Sequence, residues 1–154
     1  MAKTQAQPTR IKSNQVSVII PAKNEAGSIG TVVAAVRKKM PEAEIIVVDD
    51  GSEDDTATIA QQHGAKVHHH PISLGNGAAV KAGARRAKGD VLVFLDADGQ
   101  HNPDDIPRLL SQIEKGFDMA VGSRNSGSHA SFARLMANGA YNVIASVVTG
   151  RTIP

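Results

Sequence analysis

The sequence has no cysteine and no tryptophan, and its aromatic content is 3%: three Phe and one Tyr among 154 residues. Without cysteine there is no disulfide scaffold, no thiolate metal site and no cysteine nucleophile. With so few rings the core must be aliphatic, and a protein that reads single-stranded nucleic acid by stacking is excluded as a class. Charge of one sign is also missing. Seventeen basic residues face fifteen acidic ones, a net of +2, too little to argue for nucleic acid. No apolar run reaches the roughly 18 residues of a membrane span, and no positive-then-apolar leader opens the chain. A cytoplasmic protein is the expectation.

What remains is an ordinary globular composition with 41% apolar residues. Residues Met1–Asn14 are polar and aperiodic and read as a flexible tail; 15–154 read as one domain. From Val16, short β-rich runs recur at Val16–Ile20, Glu44–Val48, Ala65–His69, Asp90–Leu95 and Phe117–Val121. Two are almost wholly apolar, as strands covered on both faces are. Helical spacing fills the gaps: Ile29, Val32, Val33, Val36 and Met40; a stretch from a Ser52 cap to Gly64; Ala78–Ala87; and a helix opened by Pro103 with Ile106, Leu109, Leu110 and Ile113 on one face. The spacing of Ser131–Thr149 fits a helix packed on the sheet or one facing lipid. Strands alternating with helices predict an α/β fold: a Rossmann-like three-layer sandwich around a mostly parallel sheet.

Ligands of such sheets gather at the carboxyl ends of the strands. The first run ends in Pro21-Ala22-Lys23-Asn24-Glu25, where helix capping alone also accounts for Asn24 and Glu25. The second ends in Asp49-Asp50-Gly51-Ser52. Two carboxylates there are costly unless partnered; they suit a ribose hydroxyl or a base N–H, or a solvated capping turn. The fourth ends in Asp96-Ala97-Asp98-Gly99-Gln100. Residues i and i+2 share a strand face, so Asp96 and Asp98 can offer hard oxygens to one Mg²⁺ or Mn²⁺. After the fifth comes Gly122-Ser123-Arg124, whose guanidinium matches a phosphate. A dinucleotide fingerprint, a P-loop and an acyl-transfer elbow are all absent. Of His68-His69-His70, only His68 and His70 could share one metal ion; an exposed edge strand is the reading preferred for the run.

The ordered set VSVIIPAKNEAGSI, EIIVVDDGSEDDT, SLGNGAAVKAGARRAKGDVLVFLDADGQHNP and AVGSRNSG resembles family 2 glycosyltransferases of the GT-A fold, in the dolichol-phosphate mannosyltransferase and polyprenyl-phosphate glycosyltransferase branch. The resemblance covers most of Val16–Gly127. It implies that Pro21, Ala22, Asn24 and Glu25 line a nucleoside pocket. Asp50, with Asp49, would bind the base. Asn76, Lys81 and Ala97 would lie beside the donor, Asp96, Asp98 and Gln100 would hold metal and diphosphate, and Arg124 would contact phosphate, with Asp98 and Arg124 serving catalysis. It implies a UDP- or GDP-sugar donor, a lipid-phosphate acceptor, inversion at the anomeric carbon, no nucleic acid partner and peripheral contact with the cytoplasmic face of a membrane. The family's acceptor-side residues lie beyond Pro154, so the expectation is a C-terminally truncated domain. A nucleotidyltransferase and a non-catalytic nucleotide-sugar-binding fragment are the alternatives.

Overall fold

Four strands, β1 (Val16–Ala22), β2 (Glu44–Asp49), β3 (Lys66–His69) and β4 (Val91–Phe94), pair in parallel in the order β3-β2-β1-β4. The computed structural model that shows this describes residues 10–122. Val18 stands between Ile45 on β2 and Val93 on β4, which sets the register of these three strands. Parallel neighbours need long crossovers. Helices α1 (Ile29–Lys39), α2 (Thr56–Gln62) and α3 (Asn76–Ala84) supply them, and α4 (Ile106–Glu114) follows β4.

Alternate residues of each strand feed opposite layers. On one face Val18, Ile20, Ala22, Ile45 and Val47 meet Ile29, Val33 and Val36 of α1, Ala60 of α2, and Ile106 and Leu110 of α4. On the other, Ile46 and Val48 meet Ala79 and Ala82 of α3. This is the layered α/β arrangement expected from the sequence. The α3 layer is thin because α3 presents small residues. A Cβ placed on Gly83 would collide with the Ile19 Cγ2 methyl and stand 3.1 Å from that of Val48.

The amino ends of the strands are tied by one carboxylate. Glu44 Oε2 accepts from Ser17 Oγ at 2.6 Å and from the Lys88 amide at 2.8 Å, and Oε1 accepts from Lys66 Nζ at 2.8 Å. Ser17 Oγ in turn accepts from the Gly89 amide. Partial burial alone would push the Glu44 carboxyl up, but the Lys66 and Ser17 bonds and the Lys88 amide outweigh it and hold it at about 2.

The structure departs from the sequence reading in four places. Phe117–Val121 forms no strand; Phe117, Met119 and Val121 are exposed. The apolar–polar alternation is there, but a strand also needs a ladder partner, and no described strand pairs with this segment. The second helix starts at Thr56 rather than after Ser52, whose hydroxyl is engaged elsewhere. Pro103 opens a 3₁₀ turn, Pro103–Asp105, capped by Asn102 Oδ1 on the Asp104 amide, before α4 begins. Of the tail expected over Met1–Asn14, residues 1–9 lie outside the described ones. Ile11, by contrast, packs against the core and donates its amide to Glu114 Oε1 at 2.7 Å. The expected helix within Ser131–Thr149 also lies outside the described residues.

Two outcomes follow. Because the Glu44 carboxyl is held below its ordinary value of 4.5, its stabilisation is complete above that pH and disappears as pH falls toward about 2. Acid titration followed by circular dichroism should therefore show Glu44→Gln losing roughly 1–3 kcal/mol at neutral pH and little at pH 2. Gly83→Ala gains about 1 kcal/mol of helix propensity but overpacks a rigid β-branched neighbour. A net loss of about 1–2 kcal/mol is expected in urea denaturation.

Candidate active site at the carboxyl ends of the strands

The strand order brings the loops after β1, β2 and β4 side by side. The loop after β1 is sewn to the loop after β2. Asn24 has φ 55, a left-handed conformation that Asn tolerates better than most residues. Its amide donates to Ser52 Oγ at 2.9 Å, and its Oδ1 accepts from the Glu53 amide at 2.8 Å. The Glu25 amide donates to Thr56 Oγ1 at 2.7 Å and the Ala26 amide to Asp54 Oδ2 at 3.0 Å. Thr56 and its hydroxyl also bond Asp54 Oδ1. The Glu25 carboxylate accepts from Ser28 Oγ. These bonds explain why α2 starts late: Ser52 and Asp54 satisfy the amides of the neighbouring loop. The Asp54 carboxyl is held low, chiefly by the Thr56 hydroxyl, against a smaller opposing effect of burial.

Pro21 and Ala22 end β1 level with Val48 and Asp49, and Ala22 is buried. The carboxylates of Asp49 and Asp50 are almost fully covered and fully partnered. Asp49 Oδ1 accepts from the Ser52 amide at 3.0 Å and Oδ2 faces His69 Nδ1 at 2.7 Å. Asp50 Oδ1 accepts from His70 Nδ1 at 2.7 Å and the Leu74 amide at 2.9 Å. Its Oδ2 accepts from Ser73 Oγ and the Gly75 amide, both at 2.8 Å. Burial opposes the charge on Asp50, yet the bonds from His70, Leu74, Ser73 and Gly75 hold its carboxyl far below the usual range.

Beyond β4 the alternation outlasts the ladder: Leu95 and Ala97 are buried, whereas Asp96 and Asp98 are exposed. The Ala97 methyl belongs to the core, so only its backbone is available to a ligand. Asp98 Oδ1 accepts the Gln100 amide at 2.9 Å, and Asp96 Oδ2 lies 3.6 Å from His101 Nε2. No group of three or more metal-ligating side chains gathers among the described residues. The donor set is nonetheless right for a hard cation: two carboxylates on exposed positions with oxygens to spare, in a site where Mg²⁺ ordinarily draws its other ligands from phosphate and water. Asn76 opens α3, Lys81 lies one turn on, and both are exposed. Arg124 lies outside the described residues.

Sequence reasoning missed the partners His69, His70 and His101. A signal for the first two was present. A β3 parallel to β2 sets His69 level with Asp49, and His70 follows it as Asp50 follows Asp49. His101 carried no such signal, because it approaches Asp96 through a turn.

In a parallel α/β sheet, ligands bind in the crevice at the carboxyl ends of the strands, and the solved neighbours assign this sheet to the GT-A fold. The model of Glycosyl transferase family 2 matches residues 17–148, and the chain belongs to that family. It is 34% identical over 152 residues to the undecaprenyl-phosphate 4-deoxy-4-formamido-L-arabinose transferase of Proteus mirabilis, covering 92% of this chain and 46% of that protein. It is 37% identical over 128 residues to an uncharacterized protein of Methanocaldococcus jannaschii, covering 80% and 52% respectively. The chain thus spans about half the length of these relatives. Among solved structures it resembles glucosyl-3-phosphoglycerate synthase from Mycobacterium tuberculosis in complex with Mn²⁺, UDP-glucose and phosphoglyceric acid. That match has a TM-score of 0.59 and 32% identity, and covers 66% of this chain and 39% of that one. The same enzyme also has a structure with Mg²⁺ and UDP, matched at a TM-score of 0.56 and 30% identity, over 64% and 38% of the two chains.

The clamp between the first two loops is testable. Asn24→Ala removes the acceptor for the Glu53 amide and leaves a poor residue in the left-handed region, so a loss of roughly 1–2 kcal/mol is expected by thermal denaturation.

Proposed function

We propose that this chain is the donor-binding part of an inverting, metal-dependent glycosyltransferase that moves a sugar from a nucleotide diphosphate to a polyprenyl phosphate. The observation that carries the reading is the pair Asp96 and Asp98. Both stand exposed just beyond the carboxyl end of β4, while Val93, Leu95 and Ala97 are buried and anchor the segment from below. Family membership and the Mn²⁺- and Mg²⁺-bound relatives support it. The undecaprenyl-phosphate transferase relative supports the lipid acceptor. Contact with a membrane face belongs to the same proposal; no helix of the described residues is long and apolar enough to cross one.

The residues divide the work. Pro21, Ala22 and the end of β2 at Asp49 form the nucleoside wall, and the clamp fixes the backbone of Asn24 and Glu25 in the neighbouring loop. Asp96 and Asp98, with Gln100, would hold the cation. When bound, that cation acts as a Lewis acid that offsets the charge of the departing diphosphate. Lys81 on α3 would add positive charge toward the phosphates. A phosphate monoester acceptor has a second pKa of roughly 6 and is mostly anionic at neutral pH, so its attack needs no general base. The protein's task is then to align acceptor oxygen, anomeric carbon and leaving oxygen.

Titration calorimetry of this chain with UDP- and GDP-sugars, with and without Mg²⁺ or Mn²⁺, tests the reading. Metal-dependent binding of one donor class is expected, and no binding of any nucleotide overturns it. Asp98 makes only a local turn bond, so Asp98→Ala should abolish the metal-dependent gain in nucleotide affinity while thermal stability stays within about 0.5 kcal/mol.

A further inference from the structure

Asp50 sits at the strand end where a base-contacting acid would be placed, but its surroundings argue for other work. An ionised carboxylate has about four acceptor positions. All four are taken within the chain: two by amides, Leu74 and Gly75, one by Ser73 Oγ and one by His70 Nδ1. Its side chain is 6% exposed. No acceptor position is left to read a nucleobase.

The four donors share one location. His70 directly follows β3, and Ser73, Leu74 and Gly75 belong to the loop from there into α3. The loop also lies flat on Gly51, where an added Cβ would stand 2.8 Å from the Ser73 amide nitrogen and 3.0 Å from the Ile72 carbonyl carbon. Gly75, at φ 89, then turns the chain into Asn76, the first residue of α3. Ile72 and Leu74 point outward, 67% and 55% exposed, so the loop has no apolar anchor of its own. Among the described residues, the side-chain hydrogen bonds that hold it all run to Asp50.

The geometry points to Asp50 as a positioning residue: it latches the Pro71–Gly75 loop and thereby sets Asn76 and Lys81 relative to the donor diphosphate, without itself touching ligand. This rests on the donor-binding reading above for its consequence, and on the four hydrogen bonds for the latch.

Two readouts on Asp50→Asn test it, because the variant keeps shape while replacing one acceptor oxygen by a donor group. Hydrogen exchange followed by NMR should show the Leu74 and Gly75 amides exchanging at least ten-fold faster. Affinity for nucleoside diphosphates should fall at least ten-fold, while affinity for the bare nucleoside stays within two-fold. Should Asp50→Asn fail to fold, Ser73→Ala removes one donor from an exposed residue; faster exchange at the same two amides and a smaller loss of diphosphate affinity are then expected. Unchanged amide protection in the folded variant overturns the latch. A parallel loss of nucleoside affinity overturns the positioning role in favour of direct contact. If the unsubstituted chain binds no nucleotide, the donor reading fails, and the amide exchange still decides whether Asp50 holds the loop.

Discussion

Everything at the site takes its position from β1. It lies between β2 and β4 and is fully buried from Val16 through Ile20. Parallel pairing on its two sides makes the carboxyl ends of β2 and β4 flank its own. The aliphatic side chains that bury it exclude water from the sheet beneath, so a carboxylate such as that of Asp50 can be held at its rim by a buried hydrogen bond. At the opposite end, Ser17 on β1 meets Glu44 and Gly89, fastening the starts of its neighbours. The strand is thus pinned at both ends, and the loops inherit that rigidity.

The motif residues divide into two groups by what their oxygens touch. Asn24, Ser52, Asp54 and Thr56 bond across two loops; Asp49 and Asp50 bond histidines and backbone amides. These side chains build the site's frame. Lys23, Lys81, Asp96 and Asp98 remain exposed, and none of the four is paired by a Lys or Arg bridge among the described residues. A conspicuous polar motif at a strand end is therefore no guide by itself to ligand contact. In a pre-organised site much of the polarity goes to holding backbone.

The layered parallel sheet was legible in the sequence because its signal is repetitive: apolar runs at strand length, amphipathic stretches between them and cations closing α1. The shared exposure of Asp96 and Asp98 was legible because alternation along an extended segment is local. The loop clamp was not, since it joins residues about thirty apart whose side chains each have a simpler local explanation as caps. The fate of Phe117–Val121 was not legible either: alternation predicts a strand, but pairing depends on a partner that local pattern does not name. His70 was the intermediate case, readable only once β3 had been aligned with β2.

The strand order has a consequence for how the chain is made. Val16 must pair with Val91, and everything between them, including β2 and β3, is synthesised first. At ribosomal speeds of about 5–20 residues per second, β1 waits several seconds with one edge open after its β2 side has closed. During that interval an apolar strand of high β-propensity is a template for another nascent chain. Slower translation across α3 would prolong the exposure, and a chaperone that shields extended apolar segments would matter most in that window.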